Sequence, residues 1–139
     1  VIGVSERYRL LDHTADIRIQ AFGRNECEIF ENAAYALFDI ITDVSIVEPR
    51  GEVKISTESS SIETLLVDFL NELIFAHSTM RYLFSEFHVE IKGLRLDATA
   101  RGEEMDISRH VLKDEVKAVT YHMIEFNRME KYAIFIVDV

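Results

Sequence analysis

The stretch from Ser60 to Ile74 restricts the fold more than any other part of the chain. Ser60-Ser61-Ile62-Glu63 has the form of a capping box, the signal that opens a helix. Ile62, Leu65, Leu66, Phe69, Leu70, Leu73 and Ile74 then recur at helical spacing, and the pattern runs out near His77 to Met80. A helix with so continuous an apolar stripe has to bury it. The flanks name the partner, because on both sides the apolar period changes from 3.6 to 2. Val53 and Ile55 alternate with polar residues before the helix. After Tyr82, Phe87, Val89 and Ile91 alternate, Gly93 permits a turn, and Leu94, Leu96, Ala98 and Ala100 alternate again as a hairpin.

The remaining segments extend the same theme. Tyr8–Asp12 and Ile17–Phe22 are strands, the second stopped by Gly23. Asn25 suits an N-cap, with Glu28 placed to reach back to its backbone. Phe30, Ala33, Ala34, Leu37, Phe38 and Ile41 give a first helix that lays one face on a sheet. Glu48-Pro49-Arg50-Gly51 is a turn. Gly102 to Lys113 is polar and expected as a loop. The stretch around Leu112, Val116, Val119 and Met123 has helical spacing, but its β-branched and aromatic residues favour a strand from about Val116 to Phe126. Asn127–Glu130 is a turn. The apolar run from Tyr132 predicts a last strand covered on both faces. The order β-β-α-β-α-β-β-β-β predicts an α+β domain over residues 1–139, with a mixed, mostly antiparallel sheet and two amphipathic helices.

Charge and cysteine content narrow the function. Twenty-five acidic residues against 15 basic ones give a net charge of −10, which disfavours direct binding to a phosphate backbone or an anionic membrane. Such a surface suits a basic partner or a cation, and equally serves solubility. The single cysteine, Cys27, forms no intrachain disulfide and fits a small core residue. Val1–Arg9 carries charges and no leader-like apolar run, and no stretch of about 18 apolar residues follows. The expected compartment is the cytoplasm.

No phosphate-binding glycine loop, nucleophile elbow, paired-cysteine zinc motif or two-histidine helix motif occurs. Three segments nevertheless gather chemistry. Asp12-His13-Thr14-Ala15-Asp16 packs two carboxylates, an imidazole and a hydroxyl between two strands, as either a mounted site or an Asx-type turn. Asp138 follows an apolar run and precedes Val139. The carboxylate of a terminal Val139 beside that of Asp138 repels it unless a cation intervenes, and hard oxygens suit Ca²⁺ or Mg²⁺. A solvated chain end is the other reading. Glu115–His122 adds Lys117, Tyr121 and His122 to a strand that is otherwise a normal half-exposed one.

At these segments the sequence resembles the archease family. His13-Thr14-Ala15-Asp16-Ile17 matches its entry motif. Leu65-Leu66-Val67-Asp68-Phe69-Leu70-Asn71-Glu72-Leu73 matches its central helix, Glu115–His122 its later strand, and Asp138-Val139 its closing pair. The motifs fall in order across nearly the whole chain. Before His13 the family often has Glu, and here Asp12 keeps the carboxylate on a shorter arm.

The resemblance implies a strand–helix–strand–strand fold with a second such module inserted. It implies an accessory protein without turnover of its own that activates an RtcB-type tRNA-splicing RNA ligase, promoting its guanylylation and turnover. The ligase uses GTP and divalent metal, and RNA is met only indirectly. It also implies a metal site, calcium or magnesium, from Asp16, Asp138 and Val139, with Asp12, His13, Lys117 and His122 as candidate partner contacts. Competing expectations are a chaperone or modulator of a tRNA methyltransferase, a metal-dependent hydrolase or phosphotransferase with His13 or His122 as base, and a small-ligand module with a groove between helices and sheet.

Overall fold

The computed structural model describes residues 6–13 and 16–139, the side chains of Asp12 and His13 excepted. Its elements are β1 (Tyr8–His13), β2 (Asp16–Phe22), α1 (Glu26–Ile41), a 3-10 turn (Val44–Ile46), β3 (Gly51–Glu58), α2 (Ile62–Met80), β4 (Tyr82–Lys92), β5 (Arg95–Glu104), β6 (Ala118–Asn127) and β7 (Tyr132–Asp138). The order is the one read from the sequence, but the strands form two sheets, β1-β2-β7-β6 and β3-β5-β4. Every pairing in them is antiparallel. The unit β3-α2-β4-β5 is inserted between α1 and β6, as the resemblance implies.

Both helices touch both sheets and form the middle layer. Phe30 of α1 meets Phe69 of α2 at 6.0 Å between ring centroids, and Phe38 meets His77 at 5.8 Å. The helices therefore run parallel. This position explains why α1 is apolar on more than one side: Ala33, Ala34, Ala36, Leu37 and Phe38 are all fully buried. The expected single buried face was too narrow, because the inserted sheet covers a second one.

Local rules account for the helix ends, with small shifts. Asn25 caps α1 by accepting from Glu28 N–H at 2.9 Å. Glu28 reaches past the cap residue and accepts from Arg24 N–H at 2.8 Å. The box of α2 closes one residue later than Ser60–Glu63: Ser61 Oγ accepts from Thr64 N–H, and Thr64 Oγ1 from Ser61 N–H, both at 3.2 Å.

Two strand expectations change. β5 runs through Gly102 to Glu104, where a loop was expected. A Cβ at Gly102 would lie 1.8 Å from Leu83 O, so the glycine serves close strand approach beside the β4 bulge. On β7, Ala133, Phe135 and Val137 are fully buried toward the helices. Among the described residues no further helix or sheet lies on the opposite face; Ile134 is buried there, opposite Gln20 and Glu125 in register, while Asp138 is exposed.

Candidate functional site at one end of the sandwich

β2 and β7 pair in register, and Asp16 stands directly opposite Asp138. Residues opposed in this way share a face, with Cβ atoms roughly 4.5–5.5 Å apart. Both are exposed. Among the described residues neither side chain has a hydrogen bond or an ion-pair partner. Two carboxylates are thus held side by side by main-chain ladders, with no cation from the described residues between them.

The ladder is anchored from two directions. Ala118 of β6 opposes Asp138 on its other flank, and Lys117 N–H donates to Asp138 O at 2.8 Å. One residue on, Val119 is gripped by Asn71 of α2: Asn71 Nδ2 donates to Val119 O at 3.0 Å, and Val119 N–H donates to Asn71 Oδ1 at 2.9 Å. The side-chain amide does what a neighbouring strand would do, and it covers part of the β6 edge. Below it Asp68 accepts hydrogen bonds from Tyr121 and from Ser59. Asp68 and Asn71 belong to the Leu65–Leu73 stretch, and Val119 and Tyr121 to Glu115–His122. Two motifs far apart in sequence thus form one contact, and it holds the strand beside Asp138. Asp68 and Asn71 carry no role in the sequence pattern beyond their place in the Leu65–Leu73 stretch. Their position on a helix otherwise apolar toward β6 is the signal that marks them.

Between Thr120 and Glu125 the β6 register skips, and Met123 adopts φ 57. Tyr121, His122 and Met123 are exposed on this excursion, which places His122 beyond the regular ladder. Lys117 is also exposed, just before β6. Asp12 and His13 lie in β1 as register partners of Arg18 and Ile17. Their side chains, and Thr14 and Ala15, lie outside the described residues.

A second polar cluster, absent from the sequence reading, adjoins the same end. Glu103 is only 7% exposed, yet both its oxygens are used. Glu103 Oε2 accepts from Glu48 N–H at 2.8 Å and from His110 Nε2 at 3.0 Å, while Oε1 meets Arg109 at 2.5 Å and Arg50 at 3.8 Å. Asp106 N–H donates to His110 Nδ1 at 2.9 Å, so the ring is the neutral tautomer with its proton on Nε2. The Arg109 guanidinium and these donors hold the Glu103 carboxyl down at about 2.

The connection from Met105 to Lys117 joins the two clusters. Lys113 N–H donates to Ile41 O at 2.8 Å and Asp114 N–H to Ile40 O at 3.2 Å, closing the C-terminus of α1. The chain then enters β6 beside Asp138. Two clefts, of about 580 and 700 Å³, have charged walls, and neither is lined by Asp16 or Asp138. Among the described residues no three His, Cys, Asp or Glu side chains gather closely enough to hold a metal. The acid pair offers hard oxygens that suit Ca²⁺ or Mg²⁺, but fewer than the six or more ligands such ions take.

A helix pair enclosed by two antiparallel sheets, with one strand–helix–strand–strand unit inserted in the other, defines the class of fold. The archease protein family (MTH1598/TM1083) matches residues 8–139, and the chain belongs to it. It is 38% identical over 138 residues to the archease of Sulfurisphaera tokodaii, covering 96% of this chain and 99% of that one. The solution structure of Methanobacterium thermoautotrophicum protein 1598 superposes with a TM-score of 0.83 at 41% identity, over 95% of this chain and 98% of that one. A Thermotoga maritima archease, described as a possible chaperone, shares the fold with a TM-score of 0.63 at 21% identity, over 94% and 96%. Among the described residues no helix is long and apolar enough to cross a membrane.

Proposed function

We propose that this protein activates an RtcB-type tRNA-splicing RNA ligase by inserting its acidic end into the ligase's active-site cleft. It promotes guanylylation and turnover there and has no turnover of its own. The observation that carries this reading is the cross-strand pairing of Asp16 with Asp138. Two exposed carboxylates fixed side by side repel, and a divalent cation removes the repulsion.

The donor set is incomplete, which favours a shared ion over a resident one. Asp16, Asp138 and the main chain at Val139 would hold one side of a Ca²⁺ or Mg²⁺ ion, leaving positions for donors on the ligase or its nucleotide. A bound ion would supply charge neutralisation near phosphate oxygens. This chain's own part is to bind, to orient the two carboxylates through the Asn71–Val119 grip, and to offer Lys117, His122, Asp12 and His13 at the contact. A net charge of −10 steers it toward the basic cleft of an RNA-handling enzyme in the cytoplasm, with RNA met only through the ligase.

The test mixes the purified protein, an RtcB-type ligase, GTP and metal, and counts guanylylated ligase with time. The protein should accelerate that step, and Asp16→Ala or Asp138→Ala should abolish the acceleration while the variants stay folded. Full stimulation by both variants defeats the mechanism.

A further inference from the structure

The cleft of about 580 Å³ lies between the start of β1, the N-terminal half of α1 and the bulge of β4. Arg7 O accepts from Phe22 N–H at 2.9 Å, which puts the cleft at the far end of β2 from Asp16, roughly 20 Å along the strand. Four glutamates and two arginines line it. Most of these charges are matched within the chain. Arg24 holds Glu28 at 2.8 Å, and Arg9, outside the cleft, holds Glu6 at 2.8 Å. Arg7 Nη1 donates to Asn32 Oδ1 at 3.3 Å, and its guanidinium lies 4.2 Å over the Tyr35 ring. Glu31 and Glu86 remain, and among the described residues no Lys or Arg pairs with either.

Glu31 closes the edge of β4. Its Oε2 accepts from Val89 N–H at 2.9 Å, with His88 Nδ1 at 4.0 Å. Its Oε1 has no hydrogen bond or ion pair among the described residues. The side chain is only 27% exposed. Burial outweighs the Val89 bond and the fields of His88 and Arg7, and pushes the Glu31 carboxyl above its ordinary value. Ser85 is an independent sign of a missing partner. It is the extra residue of the β4 bulge, between Phe84 and Glu86, with no register partner in β5. Its Oγ is buried and has no hydrogen-bond partner among the described residues. A buried hydroxyl left in that state is costly, and a donor from outside the chain satisfies it.

The free atoms select the ligand. An ammonium has three donors and no acceptor, which suits one carboxylate oxygen and a hydroxyl together. A guanidinium binds carboxylates best through two oxygens, and Glu31 has only one to give. A divalent cation takes six or more oxygens, more than these side chains offer. Phe87, half-buried in the same wall, gives methylene groups an apolar surface. Glu86 is exposed beside it and offers its carboxylate to a second amine. We infer that this cleft binds a small aliphatic diamine, with one ammonium held by Glu31 and Ser85 and the other by Glu86. The site is separate from the acidic end and does not depend on a ligase.

The test is an NMR titration of the isotope-labelled full chain with putrescine, with butanediol, a lysine blocked at both ends and Ca²⁺ as separate arms. Putrescine should shift Glu31, Tyr35, Ser85 and Phe87 saturably and bind roughly tenfold more tightly than the diol or the blocked lysine, the ratio that corresponds to one charge-assisted contact. Glu31→Gln, which keeps an acceptor for Val89 N–H, and Glu86→Gln, at an exposed position, should each weaken that binding by a similar factor. Ser85→Ala should weaken it several-fold and leave the thermal midpoint unchanged or higher, since the hydroxyl has no partner to lose. Absence of a saturable shift up to about 10 mM putrescine overturns the inference. So does equal binding of the diol or the blocked lysine, or Ca²⁺ shifting the same residues as tightly. Shifts spread over the whole acidic surface that persist in both glutamine variants overturn it as well.

Discussion

Glu103 and the Asp16–Asp138 pair are carboxylate sites at the same end of the sandwich, and the fold treats them in opposite ways. Glu103 is buried, and a main-chain N–H, a neutral imidazole and two guanidinium groups occupy its oxygens. Asp16 and Asp138 are exposed and opposed across a ladder, with no counter-charge from the described residues. A charge satisfied from within supports structure, and removing it leaves its partners stranded. A charge left unsatisfied on a rigid frame costs little to remove and is available to something outside the chain.

The widest separation between the two is expected from Asp16→Ala and Asp138→Ala. Each should lower stimulation of a cognate ligase by a factor on the order of 100, while stability changes by no more than about 0.5 kcal/mol. Guanylylation assays beside chemical denaturation measure both, and a large loss of stability in either variant would erase the contrast. Glu103→Gln should do the reverse. It should cost roughly 1–3 kcal/mol at neutral pH through weakened charge-assisted bonds, with the acidic end and its stimulation intact at temperatures where the variant is folded.

The pH dependence sharpens the same point. The folded Glu103 carboxyl lies at about 2, against an ordinary 4.5. Its contribution is therefore fully present above pH 4.5 and is lost as pH falls toward 2, because the unfolded chain takes up the proton first. Unfolding curves between those values should be flatter for Glu103→Gln than for the parent.

Asn71→Ala tests the link between scaffold and site. Losing both bonds to Val119 should cost about 1–2 kcal/mol and speed hydrogen exchange at the Val119 amide. Tyr121→Phe, which removes one exposed bond to Asp68, should cost less than about 1 kcal/mol.

What the sequence showed follows from the range of the interactions. The α2 stripe, the β4–β5 hairpin and the Asn25 cap are local patterns, and they reappear within a residue or two. The division into two sheets was not legible, because alternation identifies a strand and not its neighbour. β6 looked half-helical because its register breaks after Thr120, which interrupts the period of two. The opposition of Asp16 and Asp138 joins residues far apart in the chain, and only family likeness suggested it. Glu103, Arg109 and His110 went unnoticed inside a stretch expected to be loop, since Glu48, whose N–H donates to Glu103, lies 55 residues away. Ser60–Glu63 pointed to the correct helix start, yet Thr64 supplies the second half of the box.

We propose that Asp16 and Asp138 share a divalent cation. Titrating Ca²⁺, and separately Mg²⁺, into the isotope-labelled protein tests it most directly, with the Asp16→Asn/Asp138→Asn double variant alongside. Saturable shifts centred on the start of β2 and the end of β7 are expected, absent from the double variant. Saturable binding that survives the double substitution, or no binding by the parent protein alone or with a ligase present, contradicts it.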